Sequence, residues 1–99
     1  MPTTRCLPID SPEALPAALH VLKSGGLMAF PTDTVYGLGA LVRDSQAIER
    51  LFLAKGRDFN KAIAVLIGAL EQLDEVAAEF PPQAQTLARR FWPGALTLV

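Results

Sequence analysis

Two stretches of this chain concentrate side chains able to handle charged or hydroxylated ligands. The first is Pro31-Thr32-Asp33-Thr34-Val35-Tyr36-Gly37-Leu38-Gly39-Ala40. Thr32, Asp33, Thr34 and Tyr36 supply hydroxyl and carboxyl groups. Gly37 and Gly39 let the backbone turn or approach a ligand closely. Pro31 has no N–H and so stops a strand ladder at the entrance of the motif. Loops at strand ends are where α/β proteins usually hold ligands. The same residues also suit a plain strand-to-turn connection whose side chains cap backbone groups. Neither GxxxxGKS/T nor GxGxxG occurs, so the chain carries no general phosphate-loop pattern.

The second stretch is Lys55-Gly56-Arg57 with Lys61 close behind. Lys acts as a point charge and Arg as a planar fork, a combination that holds polyphosphate. Cations just past a helix end also complement its dipole, at about 0.3–1 kcal/mol each. The aliphatic run over residues 62–67 is expected to form a buried strand that anchors this loop to the core. A third stretch, Phe91-Trp92-Pro93-Gly94-Ala95-Leu96-Thr97, places Trp92 where it either stacks on a base or packs under the turn it shapes, and the structural role is favoured. His20 is the only histidine, which leaves no metal cluster and no catalytic triad. Cys6 is the only cysteine, so no intrachain disulfide or multi-cysteine zinc site forms, and it is expected to be a small core residue.

The elements that position these residues alternate quickly. Strands are expected over residues 5–9, 27–30, 62–67 and 95–99. Asp10 or Ser11 caps a first helix, with Pro12 at its first position, Glu13 in its first turn and Pro16 kinking it; Gly25 and Gly26 stop it after Lys23. Asp44 or Ser45 caps a second helix, about residues 46–55, with Ile48, Leu51 and Phe52 on one face and Gly56 at its end. A third helix is expected over residues 69–78, with Leu70, Leu73, Val76 and Ala77 inward. Pro81 and Pro82 open a fourth, where Leu87 and Phe91 form an apolar pair before Trp92-Pro93-Gly94 ends it. Strands alternating with helices predict an α/β (α+β) fold, a twisted mixed sheet flanked by helices.

Composition narrows the function classes. A chain 51% hydrophobic and 19% charged is too apolar to be disordered. A net charge of −1 predicts no strong global pull toward nucleic acid or anionic membrane, so a basic site must be local. The first residues have no apolar signal-peptide core, and the apolar runs are too short to span a bilayer. A soluble protein of a reduced, cytoplasmic compartment is the expectation. The final Ala-Leu-Thr-Leu-Val alternates like a strand, and truncation is expected there.

Taken together, PTDTVYGLGA, the KGR triplet with Lys61 and its aliphatic run, and FWPGALTLV resemble the YrdC/Sua5 family of threonylcarbamoyl-AMP synthases, from about Ser11 to the last residue. The resemblance implies a twisted α/β sheet around a positively charged cleft, of which residues 1–99 are the N-terminal part of a single domain. It implies synthesis of threonylcarbamoyl-AMP from L-threonine, bicarbonate and ATP, with Mg²⁺ accompanying ATP and pyrophosphate released. Other proteins then transfer the threonylcarbamoyl group to tRNA. By the same resemblance Thr34 contacts L-threonine, flanked by Thr32 and Tyr36. Lys55 and Arg57 are the catalytic cations facing the ATP phosphates, and Lys61 is a further nucleotide contact. Two positions depart from the family pattern: Lys61-Ala62 stands where many members have Asn-Pro, and Leu66 where some carry a threonine-touching His. Members also continue past W-P-G-x-L-T with an Arg-bearing strand and a Ser-x-Asn motif, so the 99 residues alone are expected to be inactive. Two other readings are an RNA- or nucleotide-binding module without turnover and a related carbamoyl-transfer domain. The latter is usually preceded by zinc-finger cysteines, which this chain lacks.

Overall fold

The computed structural model describes residues 3–99. They form two compact units, the first ending at Lys61 and the second covering Ala62–Val99. The first unit holds helix α1 (Ala14–Lys23), strands β1 (Met28–Phe30) and β2 (Gly37–Gly39), and helix α2 (Ser45–Lys55). The second holds a 3₁₀ turn (Leu70–Gln72) running into α3 (Leu73–Val76), then α4 (Pro82–Phe91). The fold is thus a mixture of helices with a small antiparallel sheet.

Helix α1 begins two residues later than its sequence suggests. Pro12 lies before the helix, and Ser11 ties the start from outside: its carbonyl accepts from Ala14 N–H at 3.0 Å and its Oγ from Glu13 N–H at 3.3 Å. Pro16 therefore falls in the first turn, where a missing N–H has no intrahelical acceptor to leave unpaired, and it does not break the helix. The end follows the expected glycine rule. Gly25 takes φ 82°. Its N–H reaches Leu22 O at 3.1 Å, and Gly26 N–H reaches Val21 O at 2.8 Å, the paired bonds of a Schellman stop.

Strands β1 and β2 pair antiparallel, Phe30 opposite Gly37 and Met28 opposite Gly39. Strand β1 packs against α1. Its residues are half-buried or exposed rather than buried, because a two-stranded ribbon with one helix beside it cannot cover both faces. Gly37 and Gly39 share a face, two residues apart, and Phe30 lays its ring over both. A β-carbon at Gly37 would stand 2.8 Å from Phe30 Cζ, and one at Gly39 3.1 Å from Phe30 Cε1. The close approach that these glycines permit is therefore to Phe30. Gly37→Val must unseat that ring, and should lower stability by about 1–3 kcal/mol. In a Phe30→Ala background the same substitution should cost far less. Equal thermal-melting losses in both backgrounds would exclude this packing.

Helix α2 is capped as expected. Asp44 Oδ1 accepts from Ala47 N–H at 3.0 Å. Ala47, Leu51 and Phe52 are buried and Ile48 is half-buried, so the predicted apolar face holds. Arg50 Nη1 donates to Gly25 O at 2.5 Å, joining this helix to the end of α1.

The expected strands over residues 5–9, 62–67 and 95–99 do not form, since the sheet among the described residues is β1 and β2 alone. A strand exists only through a ladder with a neighbour, and an apolar run states the need for cover without supplying the neighbour. Ile63, Val65 and Leu66 are exposed as a result. Cys6, which a strand over residues 5–9 would have carried inward, is exposed as well. The third helix is also shorter than residues 69–78. Gln72 Oε1 turns back to accept from Gly68 N–H at 2.6 Å, and Ala77 is already extended. Asp74 and Glu75 lie in the first turn of α3, where they suit its dipole, and no basic residue stands in its last turn. Pro82 takes the first position of α4, where Ala88 is buried while Leu87 and Phe91 stay exposed. Trp92 serves its own turn: Nε1–H donates to Leu96 O at 2.8 Å, and its ring stacks on Phe80 with centroids 6.4 Å apart.

Candidate functional site

The six residues 31–36 form the hairpin connection between β1 and β2, and all are exposed. Thr32 organises it. Its Oγ1 accepts from Thr34 N–H at 3.2 Å, donates to the Val35 carbonyl, and stands 3.5 Å from Thr34 Oγ1. This is a side chain standing in for a backbone turn, the capping use that hydroxyl residues favour. Thr34 is left at the tip beside Asp33, and Tyr36 is 77% exposed. Thr32 and Thr34 are thus brought together by hydrogen bonds, with Thr32 as the holder and Thr34 as the group presented outward.

The cationic cluster is built on the end of α2. Lys55 is the last helical residue, and Gly56 follows at φ 63°, where a side-chain-bearing residue costs about 1–2 kcal/mol. Gly56 N–H donates to Leu53 O at 3.2 Å and Arg57 N–H to Phe52 O at 2.9 Å, the same double bond pattern that ends α1. Gly56 thereby turns the chain between Lys55 and Arg57 at the helix end. Asp58 continues the turn: its Oδ1 accepts from Asn60 N–H at 2.9 Å and its carbonyl from Lys61 N–H at 3.0 Å. Phe59 stacks on Phe52, centroids 5.3 Å apart and planes 24° from parallel. Lys55, Arg57 and Lys61 are therefore gathered on one short folded loop, and all three side chains are exposed.

The anchor of this loop is not the aliphatic run after it, which forms no strand, but Asp58 and Phe59 within it. The signal for Asp58 was present as Asp-x-Asn, a pattern that folds on itself. The signal for Phe59 was weaker, an aromatic seven residues past Phe52. The hairpin and the cationic loop lie in the same compact unit. Two surface hollows lie elsewhere, one lined by Arg5, Glu13 and His20 and the other by Asp74, Phe80 and Arg89. They are shallow and carry no arrangement of polar groups that competes with the two loops. Among the described residues no three His, Cys, Asp or Glu side chains gather to hold a metal ion. No helix there is long and apolar enough to cross a membrane.

Comparison with known proteins gives this geometry a context. Residues 20–99 match the Sua5/YciO/YrdC family model, described as telomere recombination. A threonylcarbamoyl-AMP synthase of Pyrococcus abyssi is 51% identical over 82 residues, which is 83% of this chain and 24% of that protein. The threonylcarbamoyl-AMP synthase of Bacillus subtilis is 41% identical over 93 residues, 94% of this chain and 27% of that one. The chain thus spans about a quarter of the length of these two relatives. Among solved structures, P. abyssi Sua5 complexed with L-threonine superposes with a TM-score of 0.75 at 47% identity, covering 79% of this chain and 23% of that one.

Proposed function

The chain belongs to the Sua5/YciO/YrdC family, and on that premise we propose that it is part of an L-threonylcarbamoyladenylate synthase. Both compact units are assigned to one domain of that enzyme, located in the cytoplasm. The observation that carries the reading is the folded loop presenting Lys55, Arg57 and Lys61 from the end of α2. Similarity to synthases, one of them solved with L-threonine, supports it.

The chemistry asks little of side-chain nucleophiles. The amine of L-threonine attacks bicarbonate, forming a carbamate and releasing water. A carbamate oxygen then attacks the α-phosphorus of ATP. The bond from that phosphorus to the bridging oxygen breaks, and pyrophosphate leaves with the electron pair. What the protein supplies is position and charge. Lys55, Arg57 and Lys61 hold the phosphates and offset the charge that grows on pyrophosphate. Thr34, presented by Thr32 and flanked by Tyr36, holds L-threonine. The described residues offer no carboxylate cage for Mg²⁺, so an ion accompanying ATP would be held by the phosphates. The product is an activated acyl donor, for transfer by further proteins to tRNA.

The test is pyrophosphate release by the full-length protein. It should require ATP, L-threonine and bicarbonate together, with threonylcarbamoyl-AMP formed in equal amount. RNA binding with a steep salt dependence and no pyrophosphate would favour the binding-module reading instead. Thr34→Val should raise the KM for L-threonine about three- to tenfold, the worth of one hydrogen bond, and leave the KM for ATP unchanged. An unchanged threonine KM removes Thr34 from the site.

A further inference from the structure

The Phe59 side chain has no polar atom and the residue is 55% exposed, yet its ring stacks on Phe52, which is 5% exposed in the core of the first unit. It sits between the two cations that the loop must aim, two residues after Arg57 and two before Lys61. Three backbone ties frame it: Arg57 N–H to Phe52 O, Asn60 N–H to Asp58 Oδ1, and Lys61 N–H to Asp58 O. The first of these and the ring stack both end on Phe52. The loop is thus pinned twice to one buried residue of α2, once through the main chain and once through a side chain.

We propose that Phe59 is a positioning residue for nucleotide binding, a latch on Phe52 that holds the loop carrying Arg57 and Lys61 in its phosphate-binding shape. The inference rests on the assignment of those cations to ATP. Without the ring, Asp58 can still close its local turn and Arg57 N–H can still hold Phe52 O, but the turn from Asp58 to Lys61 loses its side-chain pin and is free to swing about that single main-chain tie. The loop carrying the cations then samples more conformations, and each nucleotide bound must re-order it. Phe59 does not touch ATP in this scheme and acts only through the loop.

The experiment compares Phe59→Ala, Phe59→Tyr and Arg57→Ala in the full-length protein. ATP affinity, the KM values for ATP and L-threonine, and the rate of tryptic cleavage after Arg57 and Lys61 are measured. Phe59→Ala should raise the ATP Kd about three- to tenfold, the worth of one aromatic pair. It should speed cleavage in the loop and leave the KM for L-threonine unchanged. Phe59→Tyr, which keeps the stack, should restore both. General destabilisation would instead weaken both substrates together. Weaker ATP binding in Arg57→Ala but not in Phe59→Ala overturns the latch. So does loop cleavage in Phe59→Ala at the parent rate. ATP binding unchanged in Arg57→Ala overturns the nucleotide assignment itself, and the role of Phe59 with it.

Discussion

Replacing Arg57 with alanine in the full-length protein is expected to cut ATP-dependent pyrophosphate release by about 10²–10³-fold, the usual loss of about 2.7–4 kcal/mol when one preorganised charge contact is removed. The expectation follows from how Arg57 is held. Its N–H is tied to Phe52 O at 2.9 Å, directly after the left-handed Gly56, so the backbone below the guanidinium is already fixed. A cation carried on a fixed backbone should need less reorganisation as charge grows on the leaving pyrophosphate, and that saving is the expected source of the effect. Arg57→Lys keeps the charge and loses the planar fork, so it should recover only part of the rate. The measurement is steady-state pyrophosphate release with all three substrates. A rate for Arg57→Ala within about twofold of the parent, under 1 kcal/mol of transition-state stabilisation, would remove Arg57 from the machinery.

Residues 1–99 expressed alone should form no measurable threonylcarbamoyl-AMP and should unfold at low denaturant concentration or self-associate. Among the described residues the buried apolar side chains are Ala47, Leu51 and Phe52 in the first unit and Ala88 in the second, and only Leu51 and Phe52 are large. Against them stand Leu15, Val35, Leu53, Ile63, Val65 and Leu66, all exposed. Complete domains keep only about 5–15 kcal/mol of net stability, and a core this sparse falls at or below that range. Apolar side chains left in water favour association. The catalytic deficit has a separate cause. Lys55, Arg57 and Lys61 lie open to solvent, where a unit-charge contact at 4 Å is worth about 1 kcal/mol, against about 4 kcal/mol at a partly buried site. The checks are equilibrium unfolding, sedimentation, and product formation from L-threonine, bicarbonate and ATP. A cooperative monomer as active as the full-length protein would refute both arguments.

What the sequence determined by itself was whatever depends on neighbours along the chain. Asp44 caps α2, Gly25 and Gly56 stop the helices before them, Pro82 opens α4, and Trp92 packs into its own turn. Each of these contacts, for Trp92 the hydrogen bond to Leu96 O, is settled within about six residues, where residue type and local hydrogen bonding suffice. Membership of a family was likewise legible, because its motifs are contiguous. Which apolar runs become strands was decided only in three dimensions. Residues 27–30 joined a sheet through the hairpin, whereas residues 5–9, 62–67 and 95–99 carry the same pattern and are in no sheet among the described residues. The tertiary structure also decided what each loop residue does. Thr32 braces Thr34, Phe30 fills the space over Gly37 and Gly39, and Phe59 clamps the cationic loop on Phe52. Periodicity records that a side chain prefers to leave water. It does not record which surface receives it, because the hydrophobic effect has no direction and the partner is chosen by the path of the backbone.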